Sequence, residues 1–238
     1  MRRGTAAAVL LAVLLLAGAG RAWERPTELV HGTARVLEKG EMVIGILTPL
    51  GYGVHERVTV FTHPILDLLL TPNVWLRLDL WSNDAWAVAL DAGYQQSFLS
   101  VAAADASGDP GDHADYPGYL QAGVAGSFAV RMLQVTLATG YEGRFSGRDD
   151  LSDVFLYYRV GLDLLADERN LVMMRLVGDV GLNQGSFEIP TVTLLYCREF
   201  GRGRLGVGLA AGSFPVDGMP ADFDVWPVYP WFDYWWRF

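Results

Sequence analysis

The chain has 238 residues, with 18 basic and 27 acidic side chains, and about half of it is apolar. Lys39 is its only lysine. An acidic balance without clustered Lys and Arg excludes nucleic acid as a partner, and a single cysteine, Cys197, excludes an intramolecular disulfide.

The chain opens on Met1-Arg2-Arg3, an apolar run from Ala6 to Ala19, and small residues at Gly20 and Ala22. This is the pattern of a secretory signal peptide over 1–22, cleaved after Ala22. Its loss removes three arginines and no acid, which lowers the basic count from 18 to 15 and sets the formal charge of the 23–238 domain at −12.

Beyond residue 27 the apolar residues repeat with period two. Val74, Leu76, Leu78 and Leu80 face one way, with Arg77 and Asp79 opposite. Val154 to Leu164 and Val172 to Val180 repeat the pattern, and strict alternation specifies strands. They are expected near 28–37, 41–49, 56–63, 72–81, 85–98, 118–125, 128–140, 153–165, 171–183, 189–200, 204–213 and 229–238. Between Pro64 and Pro72 a leucine-rich run reads as a short helix at a barrel mouth, because proline does not sit inside a paired central strand.

The connections alternate in length. Residues 82–84, 125–127, 167–170 and 201–203 read as tight turns, whereas 99–117, 141–152, 184–188 and 214–228 read as longer loops. Short turns at one end and long loops at the other fit an all-β, closed antiparallel transmembrane barrel of about twelve strands, with ten or fourteen as the neighbouring even counts. Outward belong Val74, Leu76, Leu78, Leu80, Trp86, Leu90, Leu137, Val192, Leu194, Val207 and Leu209. A lipid-facing Arg at the midplane costs roughly 2–4 kcal/mol. Arg77, Asp79, Asp91, Arg159, Asp163, Arg175 and Asp179 are therefore the lumen-lining candidates, with Glu199, Asp233 and Arg237 in the same phase. Arg77 with Asp79, Arg159 with Asp163, and Arg175 with Asp179 recur two or four residues apart along their strands, as paired networks or as pore-lining charges that set selectivity.

Other motifs carry little chemistry. Gly201, Gly203 and Gly206 match a dinucleotide-loop spacing, but an alternating strand rather than a helix follows. His31, His55, His63 and His113 show no metal-ligand spacing and no catalytic order, so neither a metal nor a cofactor is expected and the chain reads as a non-enzyme. Asp105, Asp109, Asp112 and Asp115 lie in one loop without the spacing of a calcium site. Cys197 falls in the lumen phase, as a buried inert thiol.

The C-terminus is the most specific segment. Phe232, Tyr234, Trp236 and Phe238 share one face of the last strand, the placing of an aromatic girdle at a lipid–water boundary. With the leader and the alternation, this ending resembles bacterial outer-membrane β-barrel proteins. The stretch from Tyr52 to Val60, with His63-Pro64 and Pro72-Asn73, is similar to a poorly characterised group of proteobacterial barrels. The resemblance implies an outer-membrane location, outer-membrane lipids as surroundings, and a terminal strand read by the barrel-assembly machinery. The function expected is porin-like or structural, with passive passage of small solutes. An outer-membrane lipid-modifying enzyme and a secreted lipocalin-like barrel are the alternatives. Sequence leaves oligomeric state and an open or occluded lumen undecided.

Overall fold

A computed structural model describes residues 29–96, 98, 118–145, 151–183, 185, 189–212 and 226–238. The expected signal peptide and the Asp105–Asp115 acids lie outside these residues. Twelve strands form a closed barrel: β1 Met42–Gly45, β2 Leu50–His55, β3 Val58–Thr62, β4 Asn73–Ser82, β5 Trp86–Gln96, β6 Gly118–Val130, β7 Leu133–Phe145, β8 Leu151–Leu165, β9 Asn170–Gly181, β10 Thr191–Phe200, β11 Gly203–Gly212 and β12 Trp226–Arg237. Each pairs antiparallel with its sequence neighbours, and β1 closes on β12.

Burial is inverted relative to a soluble protein. Gln95, Gln134, Thr59, Thr136 and Asp163 are inaccessible, whereas Leu137, Leu209 and Phe232 are more than half exposed. Exposed Val74, Leu76, Leu78, Leu80, Leu90, Val192 and Leu194 share that outer face. This is an outer-membrane-type barrel, in which closure pairs the strand backbones and an apolar band covers the outer surface. A lipocalin-like barrel requires the opposite arrangement.

The wall is uneven. Strands β4 to β12 run 10 to 15 residues, at or beyond the roughly 9–11 needed to cross a membrane. In contrast β1, β2 and β3 have 4, 6 and 5. The helix expected in 64–72 is present as α1, Pro64–Leu68, with proline in the first turn, where its missing N–H is harmless. Asn73 anchors it: Oδ1 accepts from the His63 N–H at 2.6 Å, and Nδ2 donates to Asp67 Oδ1 at 3.1 Å.

Three sequence-based boundaries are corrected. Residues 28–37 are not a strand: from Leu29 the segment crosses the barrel interior. The stretch 41–49 is not one strand either, because it ends at Gly45, turns through 46–49 and resumes as β2. Pro49 has no N–H for the ladder, and Asp233 on the inner face draws the turn inward by accepting the Leu47 N–H at 2.9 Å and the Thr48 hydroxyl at 2.5 Å. Nor is there a turn at 125–127. Strand β6 continues to Val130 and reverses at Arg131-Met132, where Arg131 takes φ 52°. One expected strand is lost and another gained, so the count of twelve stands.

The closing seam uses the chain end. Met42 N–H donates to the Phe238 carbonyl at 3.0 Å and Phe238 N–H donates to the Met42 carbonyl at 2.8 Å, while Tyr234 and Trp236 pack edge-on at 4.4 Å on the outer face. Deleting Phe238 removes both bonds, each worth about 1 kcal/mol. The expected result is a lower yield of the compact, heat-modifiable form on a gel, while deleting Asp109 leaves the yield unchanged.

Candidate functional site: the plugged lumen

Residues 29–41 form an internal plug across the turn end of the barrel. From β1 the chain runs backwards past β2, where Gly40 N–H donates to the Gly53 carbonyl at 2.8 Å and Gly53 N–H donates to the Glu41 carbonyl at 2.9 Å. A side chain at Gly53 would overlap the Glu38 carbonyl, so only glycine lets the plug lie this close. Leu37 N–H then reaches Thr59 Oγ1 at 2.8 Å, Arg35 Nη1 reaches the Asn83 carbonyl at 2.6 Å, and Ala34 N–H reaches Ser127 Oγ at 2.8 Å. At Gly32, with φ 70°, the segment doubles back. Leu29, Val30 and Leu37 finish in an apolar cluster with Val43, Leu165, Leu171, Met173, Leu195, Cys197 and Trp235. Each such burial contributes about 1.5–3 kcal/mol.

Ala34 is fully buried among Ala87, Ala89, Ala125 and Ala138, from β5, β6 and β7. These small side chains on the inner wall form a seat that a leucine at position 34 would overfill.

Two arginines hold the plug from separate walls. On β4, Arg77 is gripped by Asp91 of β5, Nε to Oδ1 at 2.7 Å and Nη2 to Oδ2 at 2.9 Å, and its Nη1 donates to the carbonyls of Val30 and Arg35 at 3.3 and 3.4 Å. On β9, Arg175 Nη2 bonds Asp163 Oδ1 of β8 at 2.6 Å and the His31 carbonyl at 3.4 Å. In each case a wall aspartate neutralises and aims the guanidinium; Nη1 of Arg77 and Nη2 of Arg175 then reach plug carbonyls that have no ladder of their own, while Arg175 Nη1 donates to the wall carbonyls of Leu162 and Met174.

The other expected lumen residues distribute as follows. Asp79 is buried, and its Oδ2 accepts from the Ser82 hydroxyl at 2.7 Å. Asp179 lies 3.8 Å from Arg144 Nη2, and the same guanidinium bonds Glu142 at 2.7 Å and covers the Phe155 ring at 3.9 Å. Arg159 shares the inner phase of β8 with Asp163 and the buried Phe155 and Tyr157, and makes no hydrogen bond or ion pair among the described residues. The along-strand pairs Arg77 with Asp79, Arg159 with Asp163, and Arg175 with Asp179 do not form. Glu142 and Arg144 do pair two residues apart on β7, but directly opposed residues stand closer, about 5 Å against nearly 7 Å, and Arg77 takes Asp91, which lies directly opposite. Glu142, Arg144 and the plug residues Arg35 and His31 are functional neighbours that strand alternation alone did not single out.

His31 is exposed to the lumen, inside the ring of the barrel wall. Enclosure and the guanidiniums of Arg175, Arg159 and Arg77 push it down from 6.5 to about 3, so in the docked plug it is neutral. An undocked plug regains the ordinary value and takes up the proton first. The contribution of His31 to docking is therefore fully present above about pH 6.5 and is lost as pH falls toward 3. Protease cleavage within 29–41 is expected to rise between pH 7 and pH 4, and His31→Gln to flatten that rise.

No family model matches the chain, and no curated protein matches it. Among solved structures it is similar to OmpT (in-vitro folded), an outer membrane protein of Vibrio cholerae, at 9% identity and a TM-score of 0.44, over 80% of this chain and 63% of that one.

Proposed function

We propose that the protein resides in a bacterial outer membrane, turn end toward the periplasm, as a gated barrel: closed to solutes while residues 29–41 are docked and passing small solutes when they are displaced. The observation that supports this reading is the pair of aspartate-held arginines on plug carbonyls. Such contacts retain a segment without embedding it in the sheet, whereas a purely structural barrel has no need of a detachable filling. Outer-membrane lipids surround the exposed aliphatic band, and the barrel-assembly machinery receives β12. Catalysis forms no part of this reading.

Fractionation is expected to recover the protein with outer-membrane porins, and recovery as a soluble periplasmic protein would overturn the location. In planar bilayers the refolded wild-type protein is expected to be nearly silent at neutral pH, and a variant lacking 29–38 to conduct. Silence of both would instead indicate a structural barrel, and lipid turnover by the wild type a lipid-modifying enzyme.

A further inference from the structure

Above the plug the inner wall carries Trp75, Asp91, Glu142, Phe155, Tyr157 and Arg159, and His31 of the plug is exposed to the same lumen. The charges here are almost all matched. Arg77 is engaged by Asp91, Arg175 by Asp163, and Arg144 by Glu142 and Asp179. Arg159 is the exception among the described residues: half-buried, inward-facing and without a hydrogen bond or ion pair. His31 of the plug lies close by: its carbonyl accepts from Arg175 Nη2 at 3.4 Å, and the same guanidinium lies 3.3 Å from where a Cβ would stand on Gly161, two residues along the inner face from Arg159. Tyr157, the inner-face neighbour in the other direction, is buried with its hydroxyl against Gly123. Gly123 and Gly140 give the Tyr157 ring room against the wall, since a Cβ at either would collide with it.

We propose that Arg159, with the His31 imidazole, binds a small oxyanion, a carboxylate or a phosphate, in the lumen where the plug meets the wall. A guanidinium offers paired donors that match two oxygens of such a group, and in a confined lumen its charge is screened less than at an open surface. This rests on the gated-barrel reading, because His31 belongs to the plug: an anion spanning Arg159 and His31 bridges wall to plug. By linkage, it favours the docked state by the same factor that docking favours the anion.

The test is calorimetric titration of the refolded full-length protein at pH 7 and constant ionic strength with sodium phosphate and, separately, sodium acetate, using sodium chloride as control. Saturable binding of at least one oxyanion is expected, weakened about tenfold or more by Arg159→Gln and unchanged by Arg198→Gln on the outer face. His31→Ala is expected to weaken binding less, and bound anion to slow protease cleavage within 29–41. Chloride competing as well as either oxyanion, or Arg159→Gln binding like wild type, overturns the site. If Arg159→Gln fails to refold, Arg159→Lys keeps the charge but not the fork, and unaltered affinity in that variant also overturns it. Because the readout is binding, it fails or succeeds independently of conductance through the plug-deleted barrel.

Discussion

Releasing both arginine grips is expected to open the barrel. Arg77→Gln with Asp91→Asn, combined with Arg175→Gln and Asp163→Asn, removes each charge together with its partner, so no buried ion is stranded in the wall. The plug loses three bonds, those to the carbonyls of Val30, Arg35 and His31, while the wall loses those of Arg175 Nη1 to the Leu162 and Met174 carbonyls and keeps its strand ladder. At 3.3–3.4 Å the three plug bonds fall at the weak end, about 1 kcal/mol each, and together shift the docked-to-undocked ratio by roughly a hundredfold. Single-channel recordings are expected to show openings that the wild type lacks, at unchanged barrel stability. Variants as silent as wild type, with the plug still protease-resistant, would mean that the apolar cluster around Leu29, Val30 and Leu37 holds the plug alone.

A second large effect concerns the wall. Gly140 stands opposite Gly123, and a Cβ at 140 would overlap the Ala122 carbonyl oxygen and the Gly123 backbone as well as the Tyr157 ring. Backbone cannot yield as a side chain tip does, so Gly140→Leu is expected to prevent closure between β6 and β7. On the neighbouring strand, a Cβ at Gly126 meets nothing within 4 Å, and Gly126→Leu is expected to refold normally. Folding yield by heat-modifiable gel migration separates the two. Equal yields would mean that the two strands have more freedom than their register implies.

Strand phase from residue 72 onward was legible because an apolar outer face and a polar lumen face force a strict period of two. Arg77, Asp91, Asp163 and Arg175 could be placed on one face from that rule alone. Their partners could not, since pairing depends on cross-strand register, which alternation does not contain. The plug was misread for a related reason. Residues 29–37 mix apolar and polar side chains as a strand does, but the segment is enclosed on all sides and so needs no lipid face. Two signals within it were informative: Gly32, whose positive φ reverses the chain, and the absence of any run of alternating large aliphatics like Val74 to Leu80. Pro49 marked the break between β1 and β2 in the same way. The β6–β7 reversal left a weaker trace, because Arg131 adopts its left-handed conformation without glycine, and Gly126-Ser127 offered the more turn-like pair.

The docked plug is tested most directly by a tether. Ala34 N–H lies 2.8 Å from Ser127 Oγ, so in a Cys197→Ala background the double variant Ala34→Cys with Ser127→Cys places two thiols together on plug and wall. Oxidation of the refolded barrel at pH 7 is expected to give a near-complete intramolecular disulfide, and at pH 4, where the untethered plug loosens, the tethered protein is expected to stay silent in planar bilayers until reductant is added. The control pair Ala34→Cys with Leu137→Cys, whose second thiol faces lipid, is expected to remain reduced. Failure of the first pair to cross-link, or conduction by the oxidised tether, would contradict a lumen closed by residues 29–41.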